Sequence, residues 1–348
     1  MVKTAGMAKV NVAVVGASGY TGGELLRLLA GHPHVTITAV TSEKSAGQPI
    51  STLFPNLASV LSLSFEALAP EAIAKKADVI FLALPHTKSF EPAAVCVKAG
   101  KRVIDLSADY RLKDPGLYQT WYKAAHPHAA LLKEAVYGLP ELHRAAIRDA
   151  KLIASPGCYP TAAILQLAPL AAKGLLKADT VVIDAKSGIS GACRSPALAY
   201  HFPEANESVE AYQVGQHRHI PEIEQELKVT VSFTPHLVPM NRGILSTAYC
   251  RLSKPLDVSG LRALYHDFYK GERFVRLQAE GSTANPRHVR GSNFCDLAVH
   301  ADARAGWVVT VAALDNLVKG AAGQAIQAMN LMLDYPEETG LLAAGVYP

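Results

Sequence analysis

Residues 10 to 30, VNVAVVGASGYTGGELLRLLA, constrain the fold more than any other stretch of the chain. A β-branched run ends in glycine and leucines at helical spacing follow, so the local order is strand, tight turn, helix. Gly16, Gly19 and Gly22 form a G-x-x-G-x-x-G variant of the dinucleotide fingerprint on that turn. Glycine there lets the backbone turn sharply and approach a pyrophosphate, whose charge then sits at the positive end of the helix. The unit recurs. HVTITAVTS (34 to 42), ADVIFLALP (77 to 85) and KRVIDLS (101 to 107) read as strands, alternating with helical stretches such as SFEPAAVCVKAG. Such repetition predicts an α/β chain with a doubly wound parallel sheet.

From 108 to 150 the pattern is looser, after which KLIAS reads as one more strand feeding PGCYPTAAILQLAPLAAKGLL, a helix. DTVVIDAKSG, KVTVSFTPHLVP, GILSTAYCRL, NFCDLAVHAD and GWVVTVAAL are strand-like runs spaced by loops, with a helical SGLRALYHDFYKG among them. They predict a second, α+β domain on a mixed or antiparallel sheet. The last amphipathic run, LVKGAAGQAIQAMNLMLD, is long enough to return to the first domain. With 348 residues two domains are expected, 1–157 with 318–348 and 158–317. The periodic pattern begins only after Met7, an alternative start.

A formal charge of +4 leaves no concentrated basic stripe, which argues against nucleic acid and for a small anionic ligand. Cys96, Cys158, Cys193, Cys250 and Cys295 are odd in number and lack C-x-x-C spacing, so neither a disulfide framework nor a zinc or other metal site is expected. The opening residues lack the apolar core of a signal peptide, and no apolar run reaches the roughly 18 residues that span a bilayer. A cytoplasmic protein is the expectation.

The end of the second strand reads Thr41, Ser42, Glu43, Lys44, Ser45, where NAD-preferring folds carry an acidic residue for the ribose. Ser42 and Lys44 suit a 2′-phosphate, provided that Glu43 points away, and the expectation is NADP. Cys158 follows a strand and opens a helix in SPGCYPT, with Pro160 in the first turn where a missing N–H does no harm. A helix N-terminus favours thiolate, the form that attacks a carbonyl. A base is offered by HRHIPEIEQEL, where His217, Arg218 and His219 precede a helix, although such a cluster equally suits a solvated helix start.

Taken together, VGASGYTGGEL, ASPGCYPT, KSGISGACR, GQHRHIPEIEQEL, FTPHLVPMNRGIL and DNLVKGAAGQA resemble the N-acetyl-gamma-glutamyl-phosphate reductase family, related to aspartate-semialdehyde dehydrogenase, over nearly the whole chain. The resemblance implies a Rossmann-like domain closed by the C-terminal helix, a catalytic and subunit-contact domain, and a homodimer or homotetramer. It implies NADPH-dependent reduction of an acyl phosphate through a thioester, with the nucleophile on Cys158 and the acid/base on His219. NADP contacts carried over by motif fall on Gly16, Ala17, Ser18, Gly19, Tyr20, Thr21 and Ser42, on Pro85, on Ser187 and Gly188, and on Asn316. Arg111, His217 and Arg218 are candidates for the substrate's carboxylate and phosphate. Cys193 stands in KSGISGACR where a glycine or alanine is expected, leaving that loop's packing open. Two rivals remain: the same chemistry on another acyl phosphate, aspartyl or carrier-linked aminoadipyl, and a non-catalytic nucleotide-binding regulator.

Overall fold

The computed structural model describes residues 9–348, so the alternative start at Met7 lies outside the described residues. It divides into two compact units, one running to Pro156 and including Ala322–Leu342, the other comprising Gly157–Ala321 and Ala343–Pro348.

The first unit is built on six strands, β1 (Val10–Val15), β2 (Val35–Val40), β3 (Val79–Leu82), β4 (Arg102–Asp105), β5 (Val136–Tyr137) and β6 (Leu152–Ala154). All pairs are parallel and the order is β2-β1-β3-β4-β6-β5. Their continuous apolar runs follow from burial on both faces; Val79, Ile80, Phe81 and Leu82 are all fully buried. After β1 the chain steps one way to β2 and then back to β3, so the loops leaving β1 and β3 lie side by side at the carboxyl ends of their strands. That reversal of strand order is where open α/β sheets bind ligands.

Helix Tyr20–Ala30 buries Leu25, Leu26, Leu28 and Leu29, the stripe visible in the sequence. The returning helix Gly323–Met332 is buried at every position and packs on helices Pro140–Asp149 and Tyr20–Ala30. The stretch that looked loose holds three helices, Pro115–Tyr122, Ala129–Glu134 and Pro140–Asp149, two of them opened by proline at the first position. Proline there is pre-set for a helix and gives up only an N–H that would have no partner.

In the second unit strands β7 (Val182–Gly188), β8 (Glu210–Ala211), β9 (Ser232–Val238), β10 (Ile244–Cys250), β11 (Val275–Leu277), β12 (Cys295–Asp302) and β13 (Trp307–Leu314) form one sheet in the order β11-β12-β13-β10-β7-β9-β8. It is mixed: β7–β9 and β11–β12 are parallel, the other pairs antiparallel. Helix Cys158–Ala172 is buried from Tyr159 to Leu170 and packs on β10 and β13. A helix apolar all round belongs in a core, and this one is covered. Along β7 and β10 the register pairs buried Ile183 with Ala248 and Ala185 with Ser246, while the alternate positions Val182 and Tyr249, 38% and 40% exposed, pair on the other face. No helix among the described residues is long and apolar enough to cross a membrane.

Candidate active site

Three glycines of the β1 loop do three different things. Gly16 sits at φ +76°, and a Cβ there would stand 2.7 Å from both the Ala83 carbonyl and the Leu84 side chain, so conformation and space both exclude a larger residue. A Cβ on Gly22 would come 2.4 Å from Ala17 Cα, so this glycine seats the helix on the fully buried Ala17. Gly19 has nothing within 4 Å of its would-be Cβ. It is the N-cap of helix Tyr20–Ala30 and makes no side-chain cap. Internal packing therefore does not account for Gly19, and an open glycine at a helix N-terminus suits close approach of a phosphate. Ser18 and Thr21 are half-buried and Tyr20 is exposed around it. These residues fit a dinucleotide.

The neighbouring strand ends are tied to this loop. Gly16 N–H donates to Thr41 Oγ1 at 3.3 Å and Ala17 N–H to the Thr41 carbonyl at 2.9 Å. Ser42 is buried and opens a short 3₁₀ turn on which Glu43 and Lys44 are both exposed. Pro85, three residues beyond β3, is exposed, and the turn after it is held by Asp109, whose carboxylate accepts N–H from Thr87 at 2.7 Å and Ser89 at 2.9 Å. Asp109 is fully buried, and Tyr118 donates its hydroxyl to it at 2.9 Å. Burial, then the neighbouring Asp109, push Asp105 up to about 6. Arg111 is buried, with Nε donating to the Ser155 carbonyl at 2.7 Å and Nη2 to the Leu106 carbonyl at 3.0 Å. Two faces of this guanidinium thus already hold backbone.

In the second unit Cys158 is half-buried as the first residue of its helix, with Gly157 as N-cap. Thr161 N–H and its hydroxyl both donate to the Gly157 carbonyl at 2.9 Å. The first-turn donors are the N–H groups of Cys158 and Tyr159, because Pro160 has none. A Cβ on Gly320 would lie 2.8 Å from Cys158 Cβ, so only glycine fits behind Cys158. Gly320 belongs to a π-helical turn, Val318–Ala322, and bonds the Asp315 carbonyl at 2.9 Å.

His217 and His219 stand together, ring centroids 4.6 Å apart. The ring of Tyr159, next to Cys158 in the chain, lies 5.7 Å from His217 and 6.0 Å from His219, and Tyr212 and Phe233 complete the cage, each 5.5 Å from His217. Burial, and then the Arg218 charge, pull His217 down to about 4, so its imidazole is neutral at physiological pH. Its Nδ1 accepts the His219 N–H at 3.2 Å, which leaves its proton on Nε2. Arg218 is exposed.

The third group carried over by motif also assembles. Gly188 fits against the Met240 carbonyl and Arg242 N–H, where a Cβ would lie within 2.9 Å of both. Ser187 is buried beside it, and Asn316 accepts from Gly243 N–H at 2.7 Å and donates to Ser190 Oγ at 3.0 Å. Cys193, at the end of this loop, has φ +70° and ψ −172°, a region that suits glycine. Of the glycine or alanine expected there, that conformation favours only glycine. Cys193→Gly is expected to raise stability by about 1 kcal/mol, the lower end of such strain, read as an upward shift in a thermal melt; an unchanged or lower melting point would refute it.

Sequence reasoning missed Glu222, Gly320 and Asp109. Glu222 had a signal, its spacing three residues after His219, which is that of a helix-capping pair. For Gly320 the signal is a glycine inside an otherwise helical run, which often marks close approach.

Residues 11–150 match the family described as semialdehyde dehydrogenase, NAD binding domain, and residues 158–316 the semialdehyde dehydrogenase, dimerisation domain. The N-acetyl-gamma-glutamyl-phosphate reductase of Geobacter metallireducens is 53% identical over 97% of this chain and 100% of its own length. That of Geotalea daltonii is 54% identical with the same coverage. Among solved structures, aspartate semialdehyde dehydrogenase with NADP from Candida albicans superposes with TM-score 0.72 at 17% identity, covering 94% of this chain and 99% of that one, a likeness of fold. With half of its residues identical along its whole length, this chain belongs to the N-acetyl-gamma-glutamyl-phosphate reductase family, built on the semialdehyde dehydrogenase fold.

Proposed function

We propose that the chain reduces N-acetyl-gamma-glutamyl phosphate to N-acetylglutamate semialdehyde and phosphate with NADPH, in arginine biosynthesis. The observation that carries this reading is a half-buried cysteine opening a core helix, whose next residue, Tyr159, packs on paired histidines of which one is held neutral, in a chain of this family. The catalytic residues are Cys158 and His219.

Cys158 thiolate attacks the γ-acyl carbon, the carbon–oxygen bond to phosphate breaks, and a thioester on Cys158 remains. His219 takes the thiol proton as the thiolate forms and, after hydride reaches the thioester carbon, hydrogen-bonds the oxyanion until the carbonyl re-forms and the carbon–sulfur bond breaks, releasing the aldehyde and returning the thiolate. The N–H groups of Cys158 and Tyr159, at the positive end of the helix, are the donors for that oxyanion. The His217–His219 bond supports this division of labour, since a neutral His217 orients its neighbour without competing for the proton. Arg218, exposed and cationic, takes the leaving phosphate. His217 offers Nε2–H to the same substrate, and Arg111 remains the weaker candidate because it holds two carbonyls.

Gly16, Ala17, Ser18, Gly19, Tyr20 and Thr21 hold the nucleotide's phosphates, Ser42 its 2′-phosphate and Pro85 the loop beyond β3, and Ser187, Gly188 and Asn316 are further candidate contacts carried over by motif. NADPH bound by these residues supplies the hydride. We assign cofactor binding to the first unit with the returning helix, and catalysis and subunit contact to the second. The match to a dimerisation domain and the face bearing Val182 and Tyr249 support a homodimer through the seven-stranded sheet, or a homotetramer built from it. The five free cysteines support a cytoplasmic setting.

The test exploits microscopic reversibility. A site that expels phosphate also accepts it, so oxidation of N-acetylglutamate semialdehyde by NADP is expected to require phosphate or arsenate. Without either, about one hydride is transferred per active site and turnover stalls. Sustained NADPH production in phosphate-free buffer, with the free acid as product, would overturn the acyl-phosphate reading; turnover only with aspartate semialdehyde would move it to another substrate.

A further inference from the structure

Helix Ile220–Leu227 begins where His219 serves as its N-cap, and Glu222 occupies the third helical position. A glutamate at that position ordinarily reaches back to the N–H of its own N-cap. Here that N–H is already taken by His217 Nδ1. Glu222, only 1% exposed, instead accepts the N–H of Gly157 at 2.7 Å, a partner 65 residues away. Gly157 is the N-cap of the helix that carries Cys158, and the two helices pack against each other. One carboxylate therefore joins the entry of the histidine's helix to the entry of the cysteine's.

We propose that Glu222 is a positioning residue: it clamps the N-cap of the Cys158 helix to the helix that His219 opens, and so sets where the nucleophile stands relative to its base. Two features make the clamp specific. His217 must be the acceptor for His219 N–H, since otherwise Glu222 would be drawn back to its own helix. Gly157 must present its N–H outward, as its extended backbone, φ −67° and ψ 154°, allows. The inference rests on the assignment of Cys158 and His219 as nucleophile and base, not on the identity of the acyl phosphate.

The experiment compares wild type, Glu222→Ala and Glu222→Gln. Cys158 is alkylated with iodoacetamide from about pH 5 to about pH 10, a range wide enough to bracket a thiol's titration, and kcat, NADPH affinity and thermal melting are measured alongside. Alanine removes the clamp, so the alkylation midpoint is expected to move upward by about one unit as the base leaves the thiol. Its kcat is expected to fall about 10²-fold, the effect of an ångström-scale misplacement, with NADPH affinity unchanged. Glutamine keeps an oxygen acceptor for Gly157 and is expected to return kcat to within about fivefold of wild type. An alanine variant that alkylates with the wild-type profile overturns the proposal, as does a glutamine variant no better than alanine, which would make charge rather than position the operative property. Alkylation requires no substrate. If wild type turned over no acyl phosphate at all, the proposed function would fail while the alkylation profiles still decided the role of Glu222.

Discussion

Cys158→Ser is expected to abolish reduction, with kcat falling by at least about 10³-fold while NADPH binds as before. The substitution exchanges one atom at a half-buried first-turn position, so the helix, its glycine cap and the packing against Gly320 survive. What is lost is the nucleophile, because a serine hydroxyl stays protonated where a thiol ionises and no neighbour has been added to activate it. The nucleotide loop belongs to the other unit and is untouched. Fluorescence titration with NADPH and a single-turnover assay separate the two effects. A variant within about tenfold of wild type would remove Cys158 from the mechanism, since no route through a serine ester keeps that rate.

His219→Asn is expected to lower kcat by about 10² to 10⁴-fold, the range that general acid/base help supplies. Asparagine keeps a polar side chain of similar reach but cannot carry the proton between thiol and oxyanion. His217 does not substitute, because burial and the Arg218 charge hold it down to about 4 and its Nδ1 is engaged by the His219 N–H. The backbone N–H at 219 remains in the variant, so His217 keeps its orientation and the loss is chemical. A near-normal rate would transfer the role of base to His217 and contradict the weak basicity that its burial gives it.

Most of the first unit was legible because burial on both faces makes its strands read as unbroken apolar runs, punctuated by glycine. The three helices between 115 and 149 were not, since PGLYQTWY and AALLKE are short and the proline starts of PGLYQTWY and PELHRAAIRD resemble turn signals. The strands β5, β8 and β11, two or three residues long, carry too little pattern to be seen. Cys158 was legible from its position before a helix, and the histidines from their clustering. Glu222 was hidden because its partner lies on another helix, and Asp109 because a buried carboxylate serving distant backbone N–H groups leaves no local period. The departure at Cys193 was visible as an unexpected residue, but its meaning depended on a dihedral angle.

The three glycines of the β1 loop also separate two properties that are often spoken of together. The proposed phosphate loop is fixed by main-chain fit, since any side chain at Gly16 or Gly22 collides with Ala83 or Ala17. The residues proposed to discriminate between dinucleotides sit on the turn after β2, where Glu43 and Lys44 are exposed and sustain no core. The capacity to hold a dinucleotide is thus written into residues that evolution can hardly alter, and the choice of which dinucleotide into residues it can alter at little risk. On that reading a lineage carrying this loop exchanges coenzymes through replacements at the exposed positions 43 and 44 and keeps its architecture, so coenzyme preference is expected to vary among descendants long before the fold does.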